Sequence, residues 1–323
     1  MFILGLQGSP RRKGNTSHLL AMCMAHGESA GALTHTIEID KRHILPCKEY
    51  LVCDKKGYCP IDDDMKHDIY ALLRRADIII SASPVFFYNV TAQLKALMDR
   101  CQTFWARKYR LKLKDPGAGM RRGAMLSLAA TKGKNLFEAV ELTTKYFFDA
   151  LDAKYEGSLT YRGIEHAKDM SNHPTAAADV AEFMARILGP FTYRKKVLFA
   201  CRDNACRSQM AAAFAETMAG DRLDVLCGGR APAVEVDPLM VRVMAEEGID
   251  LFFRTPQSID SALEEGIPKL IVTMGGGEIG RQIPGARHID WDILDPADGP
   301  IEKMRATRDE IKKKVVKLIS ELY

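Results

Sequence analysis

The sequence predicts an α/β protein made of two doubly wound parallel-sheet domains in tandem. Three observations carry that prediction. Short, wholly apolar runs such as Phe2-Ile3-Leu4 and Ile78-Ile79-Ile80 alternate with longer amphipathic stretches, as in a parallel sheet covered on both faces. The alternation occurs twice, on either side of the breaker Gly189-Pro190-Phe191. A chain of 323 residues also exceeds what one hydrophobic core commonly fills. The boundary falls near residue 192, giving domains of 1–192 and 193–323.

Composition narrows the function classes. With 46 basic against 42 acidic residues mixed along the chain, the net charge is only +4, which provides no basic face for nucleic acid. No apolar run reaches the length of a membrane span, and the first residues read as a strand rather than a signal peptide. The expectation is a cytoplasmic protein without a membrane partner. Eight cysteines in that compartment point to reactive thiols or metal ligands rather than to disulfides.

The first strand, 2–7, runs into Gly8-Ser9-Pro10-Arg11-Arg12-Lys13-Gly14-Asn15-Thr16-Ser17 and then a helix to about residue 25. Small, hydroxylated and basic residues at such a junction describe a phosphate cradle, where main-chain N–H groups and the positive end of the helix face an anion. A polar surface turn is the alternative. Residues 33–40 alternate as a strand, 62–75 form an amphipathic helix and 76–83 form a second apolar strand. That strand ends in Ser83-Pro84-Val85-Phe86-Phe87-Tyr88-Asn89, whose aromatic rings can flank a planar ligand, and a helix follows over 91–101. Strands at 123–129 and 155–161, a polar loop holding His166 and His173 as surface residues, and a helix at 176–188 complete this half.

These segments resemble the flavodoxin-like NAD(P)H-dependent FMN reductase family, in particular its iron-sulfur flavoprotein branch. The resemblance rests on Gly8-Ser9-Pro10-Arg11 with Gly14-Asn15-Thr16, and on Ser83-Pro84 with Gln93-Leu94-Lys95 and Asp99-Arg100. It implies bound FMN with NAD(P)H as electron donor, and a homo-oligomer, dimer or tetramer. By the same resemblance Ser9, Arg11, Asn15, Thr16 and Ser17 hold the FMN phosphate. Pro84, Val85, Phe86, Phe87 and Asn89 contact the flavin ring and ribityl chain, and a third flavin loop lies at Ala130-Thr131-Lys132-Gly133.

Cys47, Cys53 and Cys59 share one short loop. The iron-sulfur branch carries four cysteines here, enough for a [4Fe–4S] cluster. This sequence has three, and Tyr50 stands where the missing ligand belongs. No resident metal is expected; a relic loop, a labile cluster on three thiolates and a redox-active pair are the open readings.

The second half is organised around Val197-Leu198-Phe199-Ala200-Cys201, a loop closing with Arg207-Ser208, and a helix over 209–218. Such a loop can hold a tetrahedral oxyanion on main-chain N–H groups, with Arg207 adding a two-pronged contact. The same positive field favours the thiolate of Cys201, and a nucleophile at the floor of an anion site makes covalent catalysis possible. An ordinary buried cysteine is the alternative. It leaves unexplained why an arginine and a hydroxyl follow where a helix begins. Strands at 223–226 and 269–274 and a helix at 238–247 continue the alternation, and Asp295-Pro296 precedes a long terminal helix. A carboxylic acid there can protonate a leaving group and later activate water, with Asp292 as the fallback. Asp-Pro is also an ordinary helix-entry turn.

This half resembles the low-molecular-weight protein tyrosine phosphatase and thioredoxin-coupled arsenate reductase superfamily, through Cys201-(five residues)-Arg207-Ser208 and the late Asp295-Pro296, over about the last 130 residues. The resemblance implies Cys201 as nucleophile, Arg207 as anion clamp and Asp295 as acid, with Asn204 holding the loop and Ser208 keeping Cys201 ionised. Val236-Asp237-Pro238, and Ala297-Asp298-Gly299 in place of tyrosines, favour the arsenate reductase branch. One departure is that the two further cysteines of that branch are missing from Met274-Gly275-Gly276-Gly277-Glu278. Cys206 and Cys227 then become candidate resolving thiols, with ordinary burial the alternative for each. The expected function is reduction of arsenate through a Cys201 adduct with electrons from the flavin. A flavin reductase joined to a phosphatase acting on phosphate esters is one alternative, and an oxyanion-sensing module is another.

Overall fold

The computed structural model describes residues 1–275 and 283–323. The chain divides into two compact units, Met1–Lys112 with Met120–Pro190, and Leu113–Gly119 with Phe191–Tyr323. Of the loop after the strand at 269–274, Gly276, Gly277 and Glu278 lie outside the described residues.

The first unit runs β1 (Phe2–Gln7), α1 (Asn15–Ser29), β2 (Leu33–Glu38), α2 (Val52–Lys56), α3 (Tyr70–Arg75), β3 (Ile78–Pro84), α4 (Ala92–Arg100), α5 (Gln102–Tyr109), β4 (Arg122–Ala129), α6 (Glu138–Ala150), β5 (Lys154–Arg162) and α7 (Ala176–Leu188). Its five strands are all parallel in the order β2-β1-β3-β4-β5. Every residue of β1 is buried, which is why its apolar run is unbroken. The chain reverses direction across the sheet between β1 and β3, so the loops after these two strands form the crevice where such sheets bind ligands.

The helix expected at 62–75 starts later, with a π-turn at Met65–Ile69 leading into α3. Its polar beginning is a buried anchor. Asp63 accepts from the N–H groups of Leu45 at 2.9 Å and Met65 at 3.1 Å, and Arg100 donates to it from two nitrogens at 2.5 and 3.1 Å.

The second unit runs β6 (Lys195–Cys201), α8 (Arg207–Ala219), β7 (Leu223–Gly229), α9 (Pro238–Glu246), α10 (Ile259–Leu263), β8 (Leu270–Met274), β9 (Arg287–Trp291) and α11 (Ile301–Leu322). Its strands are parallel in the order β7-β6-β8-β9, and the reversal falls between β6 and β8, directly above Cys201. The alanine-rich α8 is buried almost all round and packs among Phe199, Met240, Trp291, Ile311 and Val315. The segment Leu113–Gly119 joins this unit: Lys114 N–H donates to Gly248 O at 2.8 Å, and Asp250 N–H donates to Lys114 O at 2.9 Å. No helix among the described residues is long and apolar enough to cross a membrane.

Candidate active site

Cys201 ends β6, and residues 202–206 turn back over it into α8. The turn is held from outside through its carbonyls. Those of Cys201, Arg202, Asp203 and Ala205 accept from the N–H groups of Arg230, Ala231, Ala233 and Asp237 at 3.3, 2.9, 2.9 and 3.0 Å. The Asn204 carbonyl accepts from the Gln209 amide at 3.1 Å. With its carbonyls engaged outward, the loop keeps its peptide N–H groups for an anion, the geometry of a backbone nest.

Asn204 sits at φ +49, a left-handed conformation asparagine tolerates better than most residues. It is fully buried, and its side chain is bonded on both ends: Nδ2 donates to Ser208 Oγ at 2.8 Å, and Oδ1 accepts from Gln257 N–H at 2.9 Å. Ser208 Oγ in turn lies 2.9 Å from Cys201 Sγ. Gly229 on the neighbouring strand must be glycine, because a Cβ there would lie 2.8 Å from both Arg202 O and Asn204 N.

Arg207, at the first turn of α8, is 4 % exposed. One guanidinium nitrogen donates to Ile293 O at 2.9 Å and to Gly275 O at 3.4 Å, and the other reaches Asp295 Oδ2 at 2.5 Å. Cys201, Asn204, Arg207, Ser208 and Asp295 are thus brought together around one loop. Asp292 is not part of that bonding.

Cys206 and Cys227 are placed differently. Cys206 Sγ packs against Met304 Sδ at 3.3 Å, and burial, followed by the Asp237 carboxylate, pushes its thiol well above the ordinary range. Burial pushes Cys227 up to about 11. A thiol that stays protonated is a weak nucleophile, so both are poorly suited to resolving an adduct.

In the first unit, Gly8 and the loop after β3 are tied together: Gly8 N–H donates to Ala82 O at 2.8 Å, and Thr91 Oγ1 donates to Gly8 O at 2.6 Å. Ser9 and Thr16 are buried, and Arg11 N–H donates to Ser9 Oγ at 3.2 Å. Asn15 uses its side chain elsewhere, donating to His166 O at 2.8 Å and accepting from Met170 N–H at 3.1 Å, and Ser17 Oγ donates to Arg12 O at 2.7 Å. Any contact of Asn15 with a phosphate therefore comes from its main-chain N–H. Pro84 and Val85 are half-buried, and Phe86 and Asn89 close a tight turn through reciprocal main-chain bonds of 2.8 and 3.0 Å. Phe87 and Tyr88 occupy its corners at φ +47 and +63, leaving Phe87 fully exposed. A Cβ on Gly133 would lie 3.2 Å from the Tyr88 hydroxyl and 3.9 Å from Thr131 Oγ1, so the loop holding Thr131 meets the aromatic turn.

Comparison with known proteins fits this division. Residues 1–161 match the family model for NADPH-dependent FMN reductase, and residues 196–323 match that for low molecular weight phosphotyrosine protein phosphatase. The glutaredoxin arsenate reductase of Synechocystis sp. is 32% identical over 133 residues, 40% of this chain and 98% of that protein. The chain belongs to the low-molecular-weight phosphatase family. Arsenate reductase 2 of Staphylococcus haemolyticus is 31% identical over 121 residues, 37% of this chain and 92% of that protein. The iron-sulfur flavoprotein of Methanosarcina thermophila is 39% identical over 114 residues, 35% of this chain and 59% of that protein. The chain thus spans little more than half the length of that flavoprotein. An FMN-reductase-family domain is fused here to an arsenate-reductase and phosphatase-like domain.

The FMN-reductase-family domain fits its cofactor. Helix α1 has no side-chain N-cap and no acidic residue in its first turn, so its leading N–H groups remain for a phosphate. The Gln7 amide is buried at the end of β1 with neither polar atom partnered. A [4Fe–4S] cluster fits less well. Cys47, Cys53 and Cys59 are one short of the usual four thiolates, and no three His, Cys, Asp or Glu side chains among the described residues are gathered to hold a metal ion.

The phosphatase-family loop depends on partners that local sequence did not nominate. Gln209 adjoins Ser208 and could have been suspected. Gln257, Gly229 and the carbonyls of Gly275 and Ile293 carry no motif of their own.

Proposed function

We propose that this protein reduces arsenate to arsenite at Cys201, with electrons that FMN in the first unit draws from NAD(P)H. The observation that carries the reading is the Cys201–Ser208 contact of 2.9 Å at the mouth of a loop whose carbonyls are engaged outward. The arsenate reductases among the relatives support arsenate as the substrate.

Arsenate enters the loop on its N–H groups and the Arg207 guanidinium. The Ser208 hydroxyl can donate to the Cys201 sulfur and hold it as the nucleophile. Sulfur attacks arsenic, a hydroxyl departs as water with a proton from Asp295, and an arsenic(V) thioester remains on Cys201. A second thiol then attacks the Cys201 sulfur. The S–As bond breaks, its electron pair stays on arsenic, and arsenite leaves behind a disulfide. FMN, when bound, supplies from NAD(P)H the two electrons that reduce the disulfide. A homo-oligomeric assembly belongs to the same proposal.

The Arg207–Asp295 contact favours a second reading, hydrolysis of phosphate esters, in which Asp295 protonates the leaving oxygen and then activates water against a phosphocysteine. Arsenite formation and aryl phosphate hydrolysis are measured side by side in the wild type and in Cys201→Ser. Arsenite formed by the wild type and lost in Cys201→Ser is expected. Ester hydrolysis without arsenite formation would establish the phosphatase reading instead.

A further inference from the structure

Cys47, Cys53 and Cys59 line a single cavity of about 450 Å³ in the first unit, beside Tyr50, Asp99 and Gln102. The loop that displays them is anchored from beneath by two arginines. Arg100 donates to Leu45 O at 2.8 Å and is paired with buried Asp63, which also holds Leu45 N–H. Arg107 donates to Gly57 O at 3.0 Å, and a Cβ on Gly57 would lie 2.4 Å from that guanidinium. Gly57 itself sits at φ +70. The three thiols are free and at least partly exposed, whereas Cys23 and Cys101 are buried. Cys47 Sγ already accepts the Glu49 N–H at 3.4 Å.

Sulfur ligands select soft ions. Four thiolates would suit a cluster or a structural zinc, but Tyr50, where a fourth would stand, is 57% exposed. Trivalent arsenic is soft and forms three pyramidal bonds, which equals the number of thiols here. It is also the product of the reaction assigned to Cys201. We infer that Cys47, Cys53 and Cys59 bind arsenite as a tris-thiolate, an inference that rests on the arsenate-reducing reading. Arsenous acid exchanges its three hydroxyls for three sulfurs; three S–H protons leave with them as three waters, and no electrons are transferred. The thiols are not yet gathered into a chelating set, so binding draws them across the cavity. Glu49 and Leu51, at φ +55 and +56, are the turning points of the loop that moves.

Arsenite is titrated into the reduced full-length protein under anaerobic conditions, following sulfur-to-arsenic absorption in the near ultraviolet and loss of titratable thiols. The expected result is one arsenite and three thiols consumed per chain. Replacing any one of the three by serine should weaken binding about a hundredfold, because each tethered thiol acts at high effective concentration. Cys201→Ser should leave this binding intact while abolishing arsenate reduction, and the three loop variants should keep the initial rate of reduction. Arsenite binding that survives all three loop substitutions would overturn the inference and leave the Cys201 reading standing. So would iron and sulfide bound by these thiols after anaerobic reconstitution and not displaced by arsenite.

Discussion

Arg207 Nη2 lies 2.5 Å from Asp295 Oδ2, which ties the side chain proposed to clamp the oxyanion to the one proposed to protonate its leaving group. The guanidinium is fixed on its other side by Ile293 O and Gly275 O, so main chain just before Asp295 sets the aim of both. Arg207 is nearly buried while Asp295 is 41% exposed, leaving the carboxylate the freer of the two to swing toward a departing oxygen. In the proposed reaction an entering oxyanion competes with Asp295 for Arg207, and the exchange frees the acid as substrate binds.

Asp295→Asn separates the two chemistries. Loss of a general acid costs about 10²–10⁴-fold where a poor leaving group must be protonated. Aryl phosphate hydrolysis should fall by about that factor, and arsenate reduction, in which solvent can protonate the small departing hydroxyl once Asp295 is gone, should lose no more than about tenfold. Equal losses in steady-state assays of both substrates would show that Asp295 serves binding through Arg207 rather than proton transfer.

Asn204→Ala removes three side-chain bonds from a buried left-handed corner, one to Ser208 and one each from Gln257 N–H and the Gln209 amide. The cost should be about 1–3 kcal/mol for the groups left without partners. Urea denaturation should register it, and kcat should fall with it because Ser208 loses its orientation. Asn204→Gly, which relieves the backbone but supplies no side chain, should restore stability only in part.

Cys206→Ser and Cys227→Ser should each retain most arsenate reductase activity, since burial keeps both thiols protonated. The resolving thiol then comes from elsewhere. Trapping of arsenic(V) on Cys201 in either variant, seen by mass spectrometry as an adduct that no longer turns over, would make that cysteine the resolving thiol.

Asp63→Asn should destabilise the first unit by about 3–5 kcal/mol at neutral pH, because it leaves Arg100 buried without its partner. Burial alone would raise the Asp63 carboxyl, but hydrogen bonds from Arg100 and Leu45 N–H hold it below the ordinary carboxylate range. The stability it contributes is therefore present above the unfolded value near pH 4 and is lost as pH falls through the depressed folded one. The acid limb of a denaturation series should flatten in the variant. An unchanged midpoint at pH 7 would contradict the anchoring role of this pair.

Much of the architecture was legible in the sequence because parallel strands buried on both faces cannot disguise themselves: β1, β3, β4 and β6 each carry an apolar run, at 2–6, 78–80, 123–126 and 197–201. The edge strand β9 escaped, since Arg287, His288 and Asp290 face solvent and leave no apolar pattern. Helix α3 was read too long at its start because Asp63 looks like a solvent-facing helix residue until Arg100 is seen beneath it. In the site, the residues that carry charge or sulfur were named from local spacing. What holds them in place was not, since Gln257 meets Asn204 across 53 positions of sequence and leaves no trace near either.

The most direct measurement is anaerobic. FMN bound to the full chain is reduced with NADPH, arsenate is added with a trace of small thiol as carrier, and flavin absorbance is followed. Reoxidation of one flavin per arsenate consumed, absent in Cys201→Ser, is the predicted result. Flavin that stays reduced while aryl phosphate hydrolysis proceeds would contradict the claim that the two units form one arsenate-reducing enzyme.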